Sequence, residues 1–346
     1  MSATFSRPRL CLKLSFNRFP QHAIPVSVTP HHPLIRSMAT ASASNAKSPT
    51  TLSRPPPKAT WDSHMHIVLP DQFPVQANAQ YKPHAHTLAQ ASDFYDQLGI
   101  DGNMVIVQPS IYGNDNTCTL HALKQIQEQG RGLGRGVVQF DPNTITSREL
   151  DAMHEVGVRG VRLNLVSVGR EMIKLDLRKE VQRYAKVIRG REWVLNLFVP
   201  MRYLKWIEDD VKVLGVKVVV DHMGHPSLPA YDEGKERSVY EMEGFESLVR
   251  MCQGRGKVWV KMSAPYRITK DVEGGMRDID PMGRELMKEC ADRVVWASDW
   301  PHTRFDDKIG VKECVEWVER VRGWAGGTEG EEKVFRKNAE ELWDVR

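Results

Sequence analysis

Several things are missing from this sequence. None of its 346 residues falls in an apolar run approaching the roughly 18 residues of a membrane-spanning helix, which argues against an integral membrane protein. Cysteine is scarce. The five residues Cys11, Cys118, Cys252, Cys290 and Cys314 lie far apart with no CxxC spacing, which speaks against a disulfide scaffold or structural zinc. A reducing, intracellular setting is the expectation. There is no internal repeat, and no glycine fingerprint of the GxGxxG kind follows a strand. Acidic residues are absent from residues 1–60, which hold Arg7, Arg9, Lys13, Arg18, Arg36, Lys47, Arg54 and Lys58. Those eight cations take the +4 of the whole chain to −4 for residues 61–346, so a broad nucleic-acid surface is disfavoured.

What remains is ordinary for a globular protein, at 41% hydrophobic and 27% charged residues. Residues 1–60 read as a disordered leader. Basic, hydroxylated and acid-free is the composition of an organelle transit peptide, here with Phe5, Leu10, Leu12, Leu14, Phe16 and Phe19 between the arginines. Pro8 weakens a helix there. A start at Met38 would remove most of that signal. The expected location is mitochondrial with a transit peptide and cytoplasmic with the later start. Arg54-Pro55-Pro56-Pro57-Lys58 reads as a stiff linker.

From residue 61 the pattern alternates. Apolar or β-branched runs at 61–68, 103–109, 136–140, 157–165, 193–199, 216–221, 257–263 and 293–298 predict eight strands. Helical spacing falls between them at 87–98, 119–128, 147–156, 181–188, 203–214, 245–252, 282–290 and 311–321. Gly99, Gly157, Gly190 and Gly215 stand where a left-handed C-cap is wanted. Eight βα units over 61–346 predict an α/β fold, a (β/α)8 TIM barrel in one domain. A doubly wound sheet is the runner-up. The tryptophans, Trp193, Trp259 and Trp343 among them, suit packing better than base stacking.

Catalytic side chains of such a barrel project from the C-terminal strand ends. Strand one ends in Asp62-Ser63-His64-Met65-His66, whose two histidines share a face. Strand six ends in Asp221-His222-Met223-Gly224-His225, and strand eight in Ser298-Asp299-Trp300-Pro301-His302. Strand two ends in Gln108-Pro109-Ser110. Strand four carries Arg159 and Arg162, and strand seven runs through Lys261 and Ser263 to Tyr266-Arg267. Each feature alone has a structural reading, as a cap, a turn or a packed ion pair. Together they converge on one rim.

With these motifs, across residues 61–302, the sequence resembles the amidohydrolase superfamily. Within it, the chain is similar to 2-pyrone-4,6-dicarboxylate lactonase and related sugar-acid and muconolactone lactonases. The resemblance implies a TIM-barrel hydrolase acting on a small anionic substrate from aromatic or sugar-acid breakdown. Asp299 would be the base for water, with His64, His66 and His222 polarising the carbonyl. Arg162 and Arg267 would hold carboxylates in their planar forks, and Ser110, Tyr81 and His225 would line the substrate site. His225 stands where the lactonase pattern DHxGRP has arginine, which puts the pyrone dicarboxylate itself in question.

Many superfamily members hold one or two divalent metals. Here strand five, Trp193–Pro200, lacks a histidine or carboxylate, and strand four offers arginine in place of a bridging Lys or Glu. No cofactor is expected. If a metal were bound, zinc or manganese on His64, His66 and Asp299, the chain would suit a metal-dependent decarboxylase of the same superfamily. A binding protein with a decayed site is the third reading. The charged loop 230–242 reads as a lid or a solvated insertion, and the oligomeric state is not legible.

Overall fold

The structure, a computed structural model, describes residues 51–130, 132–228 and 238–345. Most of the expected leader, and residues 230–237 of the expected lid, lie outside the described residues.

All eight expected strands form: β1 (Trp61–Met65), β2 (Asn103–Val107), β3 (Gly134–Val138), β4 (Val158–Asn164), β5 (Val194–Phe198), β6 (Lys217–Val220), β7 (Val258–Met262) and β8 (Val294–Trp296). Each pairs in parallel with the next, in sequence order from β1 to β8. The helices α1 (Leu88–Leu98), α2 (Thr117–Gln129), α3 (Ser147–Glu155), α4 (Lys174–Ile188), α5 (Leu204–Val211), α6 (Phe245–Gln253), α7 (Asp280–Glu289) and α8 (Val311–Ala325) follow strands β1 to β8 in turn. This is the expected (β/α)8 barrel.

The seam between β8 and β1 is closed past the strand ends. Asp299 N donates to His64 O at 2.9 Å, and His66 N to Trp300 O at 2.8 Å. β8 is shorter than expected because the Asp62 carboxylate takes the Ser298 N–H at 3.0 Å, drawing that residue out of the strand ladder. The β1–β2 register shifts between Asp62 and Met65. Such an irregularity re-aims side chains. Asp62 lies against Tyr95 of α1, whereas His64 reaches the polar cluster of the barrel interior.

Strand alternation builds the rest of the interior. Val194, Asn196 and Phe198 of β5 face inward, as do Trp259 and Lys261 of β7, while Leu195, Leu197, Val258 and Val260 pack outward against helices. The lower interior is apolar, with Trp61, Val105, Val137, Val219 and Val295 in contact. Its floor comes from a part of the chain with no expected element. After α8 the chain forms α9 (Thr328–Glu332), a π-helical turn (Lys333–Lys337) and α10 (Asn338–Leu342). Leu342 and Trp343 then close the barrel from below, and Trp343 Nε1 reaches Ser63 Oγ at 3.2 Å.

Two local expectations are corrected. Gly190 is not the left-handed residue after α4; Glu192 is, with φ 56°, because a 3₁₀ turn (Arg189–Arg191) carries the chain two residues further. The packed chain also starts before residue 61. Arg54 pairs with Glu331, Arg322 donates to the Arg54 carbonyl at 2.8 Å, and Ser53 Oγ donates to Glu319 at 2.8 Å. Arg54, from the acid-free stretch, finds its anion on the C-terminal helices.

Candidate active site

At the C-terminal ends of the strands the barrel interior turns from apolar to charged. Asp221, following β6, lies at the centre of the lower layer. Its Oδ2 accepts from Arg162 Nε at 3.1 Å and Nη2 at 2.9 Å. Its Oδ1 lies 3.1 Å from Lys261 Nζ and 3.1 Å from His64 Nδ1. Lys261 also donates to Asn196 Oδ1 at 2.6 Å. All are buried. Burial alone would raise the Asp221 pKa, but Lys261, His64 and Arg162 more than offset it and hold the carboxyl well below its usual range. Burial, opposed by Asp221, brings Lys261 down to about 8.

Above this layer stands Asp299, following β8. Its Oδ2 accepts from Tyr266 OH at 2.6 Å and Arg267 Nε at 2.7 Å. Burial opposes ionisation, yet the Arg267 guanidinium keeps the carboxyl well below the usual range. Its Oδ1 has no hydrogen-bond partner although buried. It faces His64 Nε2 at 3.6 Å, His66 Nε2 at 3.7 Å and His222 Nε2 at 4.0 Å.

The second ring nitrogens orient these imidazoles. His66 Nδ1 lies 2.7 Å from Val107 O. A carbonyl oxygen only accepts, so Nδ1 carries the proton. Burial brings His66 down to about 4, so the ring is neutral at pH 7 and its Nε2 presents a bare lone pair. His222 Nδ1 meets Ser263 Oγ at 2.8 Å, and a hydroxyl serves as donor or acceptor. His64 Nδ1 meets both Asp221 and the Lys261 ammonium, so it too has either tautomer open. Burial holds His222 at about 3 and His64 well below its usual value.

A cavity of about 260 Å³ opens over this cluster. Its walls include His66, His222 and Asp299 together with all five expected substrate-binding residues, Tyr81, Ser110, Arg162, His225 and Arg267. His64 lies beneath, fully buried. Arg159 turns away, donating to His154 O at 2.9 Å.

Two expectations change. Arg162 and Arg267 are not uncommitted cations: each already holds a carboxylate of the protein, Asp221 and Asp299 respectively. His66 is fixed as an acceptor, so it cannot polarise a carbonyl by donating from a neutral ring. The expected metal set comes together as a group, with His64, His66 and Asp299 each offering an atom within 4.8 Å of the others. His64 Nε2 and Asp299 Oδ1 are buried and unpartnered, and His222 Nε2 stands 4.0 Å from the same carboxylate oxygen. Close spacing and orienting partners at Nδ1 suit a divalent cation.

Asp221, Lys261, Ser263 and Tyr266 are residues of this cluster to which the sequence assigned no role. The signal for Lys261 was its parity, since it shares a strand face with Trp259 and Ser263. A lysine inside a barrel requires a carboxylate partner.

A family model described as amidohydrolase matches residues 61–345. A 2-pyrone-4,6-dicarboxylate hydrolase of Comamonas testosteroni is 30% identical over 261 residues, 73% of this chain and 80% of its own. A 4-sulfomuconolactone hydrolase of Hydrogenophaga intermedia is 26% identical over 291 residues, 83% of this chain and 89% of its own. A solved structure from Pseudomonas putida, a proposed 2-pyrone-4,6-dicarboxylic acid hydrolase, superposes with a TM-score of 0.66 at 27% identity, covering 82% of this chain and 97% of that one.

Proposed function

Because the chain belongs to the amidohydrolase family, we propose that it hydrolyses a carboxylated lactone or pyrone, with Asp299 as the base for water. One observation carries this reading. Asp299 has one oxygen tied by Tyr266 and Arg267, and the other turned, unpartnered, towards three imidazoles.

The tie through Oδ2 orients the carboxylate and keeps it ionised. Oδ1 and the His66 Nε2 lone pair are two proton acceptors facing the same place, so together they align a water for attack. As the water oxygen bonds to the lactone carbonyl carbon, its proton passes to Asp299. His222, in the tautomer that Ser263 permits by donating to Nδ1, presents Nε2–H to the developing oxyanion. The ring C–O bond then breaks, Asp299 returns its proton to the leaving oxygen, and a hydroxy acid results. The product carboxyl group ionises and releases a proton to the solution.

A divalent cation held by His64, His66, His222 and Asp299 would supply Lewis-acid polarisation and a lowered water pKa. The chain's own charges favour operation without one. With neutral histidines, Arg162, Arg267 and Lys261 already balance the buried carboxylates Asp62, Asp221 and Asp299, so a dication would create a positive excess. The open tautomers of His64 and His222 also let either ring turn an N–H towards Asp299 Oδ1 without a metal.

Asp299→Asn keeps the shape and removes the base. It should abolish proton release from lactones while the circular dichroism spectrum is unchanged. Retained turnover in a folded variant would rule out the role given to Asp299.

A further inference from the structure

We propose that Arg304 is the residue that seats the substrate's carboxylate, at the mouth of the cavity above Tyr81, and that the substrate is a lactone with one carboxylate. This deepens the lactone-hydrolase reading and rests on it. The cavity has three arginines on its walls, Arg162, Arg267 and Arg304. The first two are engaged by Asp221 and Asp299. Arg304 has only neutral partners among the described residues. Its Nη2 donates to Gln80 Oε1 at 2.8 Å and, weakly, to the Ser167 carbonyl at 3.4 Å.

Its placement is held. The guanidinium carbon lies 4.8 Å from the centre of the Tyr81 ring, a cation–π contact that fixes the plane of the fork. Tyr81 is half-buried and lines the same cavity. The backbone supports this too. Arg304 has φ 71° and Asp299 φ 62°, left-handed values that cost a non-glycine residue energy. One tightly folded turn after β8 thus carries both the proposed base and a cation free for an anion.

His225 provides the contrast. It lines the cavity with a buried Nδ1 that has no partner, and burial brings its pKa down to about 4. A neutral imidazole offers a hydrogen bond but no charge. The cavity therefore gives an anionic group one seat, at Arg304, and gives a hydroxyl or carbonyl group another, at His225.

The test uses 2-pyrone-5-carboxylate and its methyl ester, which differ by one negative charge. The wild-type protein should prefer the acid in kcat/KM. Arg304→Gln should cut the acid-over-ester preference about tenfold, through KM rather than kcat, and Arg304→Lys should restore part of it. An unchanged preference in Arg304→Gln would overturn the proposal. Should the wild type turn over neither compound, calorimetric binding separates the two claims. Acid binding weakened about tenfold in Arg304→Gln would support the anion seat while counting against hydrolysis of this pyrone. Equal binding to wild type and variant would overturn the anion seat.

Discussion

Lys261 Nζ lies 3.1 Å from Asp221 Oδ1 with both side chains fully withdrawn from water. The lysine is surrounded by Asp221, His64 and Asn196, and it rests 5.4 Å above the Trp343 ring that floors the site. Asp221 thus balances two buried cations, Lys261 and Arg162. Breaking a buried pair leaves a charge uncompensated, typically at about 3–5 kcal/mol.

The two members of the pair should therefore respond unequally. Lys261→Met leaves Asp221 with Arg162 and should cost about 3 kcal/mol in urea unfolding, at the low end of that range. Asp221→Asn strands two cations and should cost more. If Asp221→Asn is the milder substitution, Asp221 is not the charge that balances the cluster.

Trp343 carries the tail's contribution to stability. Its ring is fully buried among Val219, Trp259 and Val295 below the polar cluster. Trp343→Ala should lower unfolding free energy by about 3–5 kcal/mol, the range for emptying a large aromatic site. A loss below about 1 kcal/mol would mean that the tail is not the floor.

Asp62 gives a pH signature. Its carboxylate accepts from Ser298 N, His64 N and Tyr95 OH at 3.0–3.1 Å, and from Ser298 Oγ, across the β1–β8 seam. Burial nevertheless outweighs these bonds and raises it to about 6. The folded state then holds this proton more tightly than the unfolded chain does. The resulting stability is full below about pH 4 and is lost as pH rises through 6. Relative to Asp62→Asn, the wild type should lose about 2 kcal/mol between pH 4 and pH 7. A flat difference across that window would show that Asp62 ionises normally.

The barrel was legible because its strands and helices differ in period, and each run long enough to bury a face announced itself. The histidines and Asp299 were legible because strand ends gather at one rim. What sequence did not carry was pairing. Arg162 and Arg267 read as free forks until Asp221 and Asp299 were seen beside them. Arg304 lies on a loop whose left-handed backbone nothing in a Thr-Arg-Phe stretch announces. The tail after α8 is amphipathic only over a few turns, and its partners are barrel valines far away in sequence. His66 needed the Val107 carbonyl to fix its proton.

The central claim is hydrolysis of a carboxylated lactone by Asp299 and neutral imidazoles without a metal. The most direct measurement follows proton release by the full chain over a panel of carboxylated lactones and pyrones, before and after exhaustive treatment with a strong chelator. Hydrolysis should persist at the same rate after chelation, with less than stoichiometric zinc or manganese in the protein. Activity lost on chelation and restored by either metal would contradict the claim, moving the water to a cation held by His64, His66, His222 and Asp299. Silence across the panel, with carbon dioxide released from aromatic acids, would replace the hydrolase with a decarboxylase.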